Sequence, residues 1–299
     1  MTRLRRSFAA LTALGPALAL AGCGGVLDPQ GPVGAGNRLI LLNSLAIMLV
    51  VVVPTIVAAL GFAWWFRAGN RRATYRPDWA FSGPIELLVW SVPVLVIIFL
   101  GGLIWTGSHR LDPYRPLESP HPPLDVQVVS LDWKWLFIYP RQRVATVNRL
   151  VVPAGVPVRF TLTSASVMNT FFVPQLGSMI YTMYGMTTRL HLQADRPATL
   201  LGRSAHFSGD GFPDMQFTVV SVPPAAFARW AAAARGRGPA LDRRSYAVLL
   251  RQGVVERPVG FGAIDPGLFD DVVARRLPPQ PGPSVGEGGP GVSPRSPGA

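Results

Sequence analysis

Apolar residues are distributed along this chain in three ways, and each predicts a different kind of element. Phe8–Ala21 is a short apolar run behind a basic head of Arg3, Arg5 and Arg6. Leu39–Phe66 and Leu87–Thr106 are long runs without a charged side chain. At about 1.5 Å per helical residue both can cross a hydrocarbon core of about 30 Å, and the first needs tilt or an end outside the lipid. After a proline-rich stretch, Arg110–Pro123, the runs shorten. Asp125–Tyr139, DVQVVSLDWKWLFIY, alternates and then turns aromatic and β-branched, as a strand pair does. Strand-like runs follow at Asn148–Val152, Val158–Ser164, Thr170–Val173, Thr188–Gln193, Thr199–Gly202 and Met215–Val222, punctuated by Pro and Gly. That spacing predicts a β-sandwich of about 100 residues. From Pro224, AAFARWAAAAR and RRSYAVLLRQG have helical composition, and AIDPGLFDDVVARRL offers a helix start at Asp265–Pro266. Beyond Pro278 the chain is rich in Pro, Gly and Ser and reads as disordered.

The first run has the form of a secretory signal, too short for a mature span. It ends in Leu20, Ala21, Gly22 and Cys23, the pattern of a bacterial lipoprotein, in which the cysteine thiol accepts a diacylglycerol. Cys23 is the only cysteine, so its acylation leaves no thiol for a disulfide or a metal. Arg67, Arg71, Arg72 and Arg76 cluster between the two spans, and the positive-inside rule puts that loop in the cytoplasm. Both ends of the mature chain are then outside, as a lipoprotein signal also requires. Trp64, Trp65, Trp79, Trp90 and Trp105 lie near the span ends, where amphipathic rings favour the interface. Pro54 and Pro93 are tolerable inside lipid-embedded helices. Glu86, at the start of the second span, is either a functional acid at membrane depth or a carboxylate suited to a helix N-terminus.

The expected organisation is therefore an α+β membrane protein. It comprises signal peptide 1–22, periplasmic anchor segment 23–38, transmembrane helices 39–66 and 84–107 around cytoplasmic loop 67–83, and linker 108–123. Sandwich 124–223, a helical extension 224–277 and a disordered tail 278–299 follow. Localisation would be the bacterial inner membrane with the sandwich in the periplasm.

Composition agrees: 49% of residues are hydrophobic and only 15% charged, apolar for a soluble protein. The net charge of +12 comes almost wholly from dispersed arginines, Lys134 being the sole lysine. No module carries the clustered basic face of a nucleic-acid binder. His109, His121, His191 and His206 lack metal-ligand spacing. Met168, Met179, Met183, Met186 and Met215 read as gap-filling core or interface residues. Ser204 and Ser208 have no neighbouring His–Asp arrangement to activate them. The chain offers no catalytic constellation.

One stretch departs from this bland picture. Ser204–Met215, SAHFSGDGFPDM, resembles the C-x-E-x-C-x-x-x-H-x-x-M copper loop of haem–copper oxidases. Counting back from Met215, the histidine position holds Phe212, the cysteine positions Ser208 and Ser204, and the glutamate position His206. A second family histidine, in a V-I-H-S-F-type segment, is replaced by Asn169 within Val167–Phe171. Copper of this kind needs thiolates and imidazoles. Together with the lipoprotein signal, the two spans and the DWKWLFIYP string, these motifs resemble subunit II of bo-type ubiquinol oxidases, the quinol-using branch, from about Cys23 to about Arg276.

The resemblance implies a cupredoxin-like sandwich without cofactor, packed on a catalytic subunit I that carries haem, copper and the quinol site beside other oxidase subunits. Such a complex oxidises ubiquinol, reduces oxygen to water and pumps protons. Trp133 and Trp135, on the electron path of copper-bearing relatives, would become core and docking residues. Glu86 would match an acid near the mouth of a shared proton channel. The alternative is a free-standing membrane lipoprotein, an assembly factor with a degenerate cupredoxin domain.

Overall fold

A computed structural model describes residues 25–74, 76–255 and 257–280; the expected signal, Cys23 and residues 281–299 lie outside the described residues. The chain divides into two compact units, Gly36–Asp112 and the remainder.

The first unit is built on helices α1 (Pro32–Trp65) and α2 (Gly83–Arg110), both long and apolar enough to cross a membrane. They approach closely at Gly107, where an added Cβ would lie 2.6 Å from Ile40 Cδ1. Hydropathy placed the first helix at residue 39, but α1 starts at Pro32, a residue whose fixed φ suits the first helical turn. Val33 and Gly34 are buried, and the Gly34 amide donates to Leu176 O at 2.9 Å. These first residues are held by globular packing, which a lipid-oriented reading does not detect. The expected anchor segment 23–38 is therefore partly helical. The linker expected from residue 108 also starts later, because α2 runs through His109 to Arg110.

The second unit is a sandwich of ten strands: β1 (Leu124–Leu131), β2 (Lys134–Tyr139), β3 (Val144–Val147), β4 (Arg149–Pro153), β5 (Val158–Ser164), β6 (Asn169–Phe172), β7 (Ile180–Thr182), β8 (Thr188–Leu192), β9 (Ala198–Ser204) and β10 (Gln216–Val222). After them come α3 (Pro224–Ala234), β11 (Ala240–Leu241), α4 (Arg243–Leu249), β12 (Val259–Phe261), β13 (Ala263–Ile264) and α5 (Leu268–Val273). One sheet has the order β12-β3-β2-β1-β5-β8 and the other β4-β10-β9-β6-β7. The pairs β1–β5 and β4–β10 are parallel, the remaining pairs within these two sheets antiparallel.

The sheets meet through aromatic rings. Trp135 and Phe137 of β2 touch Phe171 and Phe217 of the facing sheet, and the Phe171 and Phe217 rings stack at 5.2 Å. Leu136 and Ile138, on the opposite face of β2, join a second apolar cluster with Leu241, Tyr246, Phe261, Leu268 and Phe269. Every residue of β2 is thus buried, which is why its sequence after Lys134 reads as an apolar run without alternation.

Two expectations are corrected here. The extension 224–277 is not purely helical: β12 pairs antiparallel with β3 and widens the first sheet. Its three residues, with Gly260 in the centre, are too few to show a period. The short strands β3 and β7 escaped the reading for the same reason. The segment beginning at 278 stays packed at least to Gln280, whose Oε1 accepts from the Asp132 amide at 2.7 Å and whose own amide donates to Ala165 O at 3.1 Å.

Candidate functional site

Asn169 opens β6, Ser204 closes β9 and Met215 immediately precedes β10. The registers Phe171↔Ser204 and Gln216↔Arg203 carry these three strand termini to one end of the second sheet. The Ser204 amide donates to Met215 O at 3.0 Å, closing the loop between them at its base.

At this end of the sheet the polar groups satisfy one another. The Ser204 hydroxyl donates to Asn169 Oδ1 at 3.0 Å and shares its proton with His206 O at 3.3 Å. Ser208 Oγ approaches Met215 Sδ at 4.0 Å. Asn169, Ser204, Ser208 and Met215 are all buried. His206 is half-buried, edge-on to Tyr181 at 5.9 Å, and half-buried Phe212 packs edge-on to Phe207 at 5.7 Å. All six positions singled out from the sequence therefore fall on segments that the sheet register joins.

Trp133 forms the floor of the loop. Its indole Nε1 donates to Ser208 O at 3.0 Å, and a Cβ on Gly211 would come within 2.5 Å of its Cε3, so residue 211 has room for hydrogen only. Trp133 sits in the β1–β2 turn at φ 64°, a left-handed conformation that costs a non-glycine residue on the order of 1 kcal/mol or more. Complete burial of the ring and the bond to Ser208 offset that cost. Trp133 and Trp135 are core residues with no exposed surface. The docking role expected of them is corrected, since neither ring reaches the surface of this chain.

This donor set does not fit a dinuclear copper centre. The two serine hydroxyls are engaged as above, Phe212 has no lone pair, and the soft donors are one thioether and one half-buried imidazole, with no thiolate to bridge two metals. Among the described residues no group of three or more His, Cys, Asp or Glu is arranged to hold a metal.

Two other groups bear on chemistry. Glu86 lies in the first turn of α2, where its Oε2 accepts from Trp90 Nε1 at 3.3 Å, one turn along the same helix. At the β1–β2 turn, Lys134 Nζ donates to Arg251 O at 2.6 Å and Gly253 O at 3.2 Å. Asp132 accepts from Ser166 Oγ at 2.7 Å and Gln252 Nε2 at 3.0 Å. Burial pushes the Lys134 ammonium down to about 8, with Asp132 opposing the shift. From the sequence Lys134 stands out only as the sole lysine; the further signal is an Asp and a Lys flanking Trp133 within the mostly apolar segment 128–139.

The family described as cytochrome c oxidase subunit II, periplasmic domain, matches residues 128–222, from β1 to the end of β10. Ubiquinol oxidase subunit 2 of Acetobacter aceti is 47% identical over 277 residues, 91% of this chain and 90% of that protein. Cytochrome bo(3) ubiquinol oxidase subunit 2 of Pseudomonas aeruginosa is 45% identical over 271 residues, 90% of this chain and 82% of that one. Among solved structures, the periplasmic domain of subunit II of cytochrome oxidase from Bradyrhizobium japonicum aligns with 39% of this chain and 96% of its own, at 20% identity and a TM-score of 0.37. Two apolar helices, a sandwich that keeps the loop without its ligands, and identity at this level along nearly the whole of both chains lead to one conclusion: the chain belongs to the subunit 2 family of ubiquinol oxidases.

Proposed function

We propose that the chain is a non-redox subunit 2 of a proton-pumping ubiquinol terminal oxidase, supporting a catalytic subunit that holds the haem and copper. The observation that carries this reading is the hydrogen-bonded Ser204–Asn169 pair at the copper position, in a chain 47% identical to a ubiquinol oxidase subunit 2. A sandwich without thiolates cannot hold the dinuclear copper centre that the resembled loop binds, which agrees with a complex that takes its electrons from quinol in the membrane. Acylation at Cys23, a cytoplasmic loop 67–83 and a periplasmic sandwich on the inner membrane complete the topology. Tryptic mass spectrometry of the membrane-extracted chain should find a lipid-modified residue 23; an unmodified Cys23 thiol overturns the anchor.

The test of the assignment is purification of the chain from its native membrane. A haem-containing partner and quinol-dependent oxygen uptake should accompany it; a chain that comes away alone, as a free-standing assembly factor would, refutes the proposal. Glu86 would supply protons to the partner's channel. Glu86→Gln should then lower turnover with haem content and assembly unchanged, whereas full turnover leaves Glu86 a helix-end carboxylate bonded to Trp90.

A further inference from the structure

The junction of the two membrane helices carries a feature that the oxidase assignment does not use. The end of α1, the following loop and the start of α2 form an open pocket of about 1110 Å³, whose lining includes Phe62, Trp65, Phe66, Arg72, Arg76 and Trp79. Its walls are aromatic and largely exposed on the chain, Phe66 and Trp79 each at 59%. Its rim is cationic: the loop has four arginines, at 67, 71, 72 and 76, against the single acid Asp78.

The loop is held in shape by local bonds. Asn70 Nδ2 donates to Trp65 O at 2.6 Å while its Oδ1 accepts from the Arg72 amide at 3.1 Å, tying residues 70–72 to the end of α1. Arg67 donates to Trp64 O at 2.8 Å with its guanidinium 4.7 Å from the Trp64 ring, so this arginine serves the fold. Arg72 and Arg76 are different: among the described residues no carboxylate pairs with either, and both line the cavity.

We propose that this cavity binds one anionic phospholipid, with its phosphodiester on Arg72 and Arg76 and its upper acyl chains against Phe62, Phe66 and Trp79. Each alternative leaves one half of the site unused or in conflict. A free phosphate would satisfy the guanidinium groups and leave the aromatic wall in water. An apolar partner helix would cover the rings and bury two unpaired cations, which is costly. A zwitterionic headgroup would bring its own ammonium against the arginines, whereas an anionic one adds only attraction at a membrane surface. The inference rests on the helices crossing a membrane and not on the oxidase assignment.

The experiment is lipid retention by the protein with whatever subunits accompany it from the membrane, after exhaustive detergent exchange, read by mass spectrometry and by titration with phosphatidylglycerol, phosphatidylcholine or glycerol phosphate. Phosphatidylglycerol should be retained over phosphatidylcholine. Arg72→Gln with Arg76→Gln should weaken its retention about thirtyfold, at roughly fivefold for each surface arginine. The Arg72→Lys, Arg76→Lys pair keeps the positive loop and the topology, and should keep most of the binding. Trp79→Ala, which leaves the charge unchanged, should weaken phosphatidylglycerol and not glycerol phosphate; it also tests the site should the Gln pair fail to insert.

Equal retention of the two lipids, or undiminished phosphatidylglycerol in both the Gln pair and Trp79→Ala, overturns the proposal. So does glycerol phosphate competing as well as the lipid, which marks a soluble-anion site. A photo-crosslinker at residue 79 that captures polypeptide and no lipid assigns the cavity to a neighbouring subunit and equally overturns it.

Discussion

Replacing Ser204 by Ala removes one oxygen atom from the buried pair with Asn169, and its cost can be worked out from the hydrogen bond it breaks. Ser204 and Asn169 are 5% and 1% exposed, and the hydroxyl donates to Asn169 Oδ1 at 3.0 Å. A hydrogen bond of this kind contributes about 1 kcal/mol net, but a buried acceptor left without a donor costs about 1–3 kcal/mol. Ser204→Ala should therefore destabilise the sandwich by about 1–3 kcal/mol. Asn169→Leu alone strands the hydroxyl in the same way, although His206 O at 3.3 Å can still accept from it, so its cost should lie at the lower end. The double variant leaves no unmatched polar atom from the pair, and its cost should fall short of the sum of the singles by about 1 kcal/mol. Urea unfolding of the purified chain in micelles, followed in parallel by tryptophan fluorescence and far-ultraviolet circular dichroism, supplies the four free energies. A Ser204→Ala cost below about 0.5 kcal/mol together with additive singles would refute the view that this end of the sheet is a self-satisfied polar plug.

Gly211→Ala should cost about 1–3 kcal/mol in the same melts, because its methyl group overlaps the buried Trp133 ring. Gly260→Ala, with open space around the added carbon, should cost far less; equal losses at the two sites would contradict the packing described. Lys134 gives a pH signature. Its folded value of about 8 lies below the unfolded value of about 10.4, so between these the unfolded chain binds the extra proton and stability should rise with pH. Lys134→Met should flatten that rise between about pH 8 and 10.4, and an unchanged slope would show that the ammonium is not held in the buried site between Arg251 and Gly253.

Elements whose demands apply residue by residue are legible in the amino-acid order. A hydrocarbon environment excludes charge at every position of a span, so the two apolar helices were legible in Leu39–Phe66 and Leu87–Thr106. Side-chain alternation and turn residues marked the main strands of the sandwich, and the spacing of Ser204, Ser208, Phe212 and Met215 gave the register of the loop. The start of α1 at Pro32 was hidden because its first turn is held by Leu176, far away in the chain. Strands β3, β7 and β12 were hidden because three or four residues show no period, and pairing alone makes them strands.

At the site, sequence named the residues and tertiary structure decided their state. The Ser204 hydroxyl finds Asn169 across 35 residues, and the Lys134 ammonium finds its carbonyls across 117 and 119. A polar side chain in a core is defined by its partner, and the partner is chosen by sheet register and chain path, which the linear order of residues does not encode locally. The absence of thiolates from the loop was visible in the sequence; that the position closes on itself through hydrogen bonds, over a strained and buried Trp133, followed only from the folding of three strand termini to one end of the sheet.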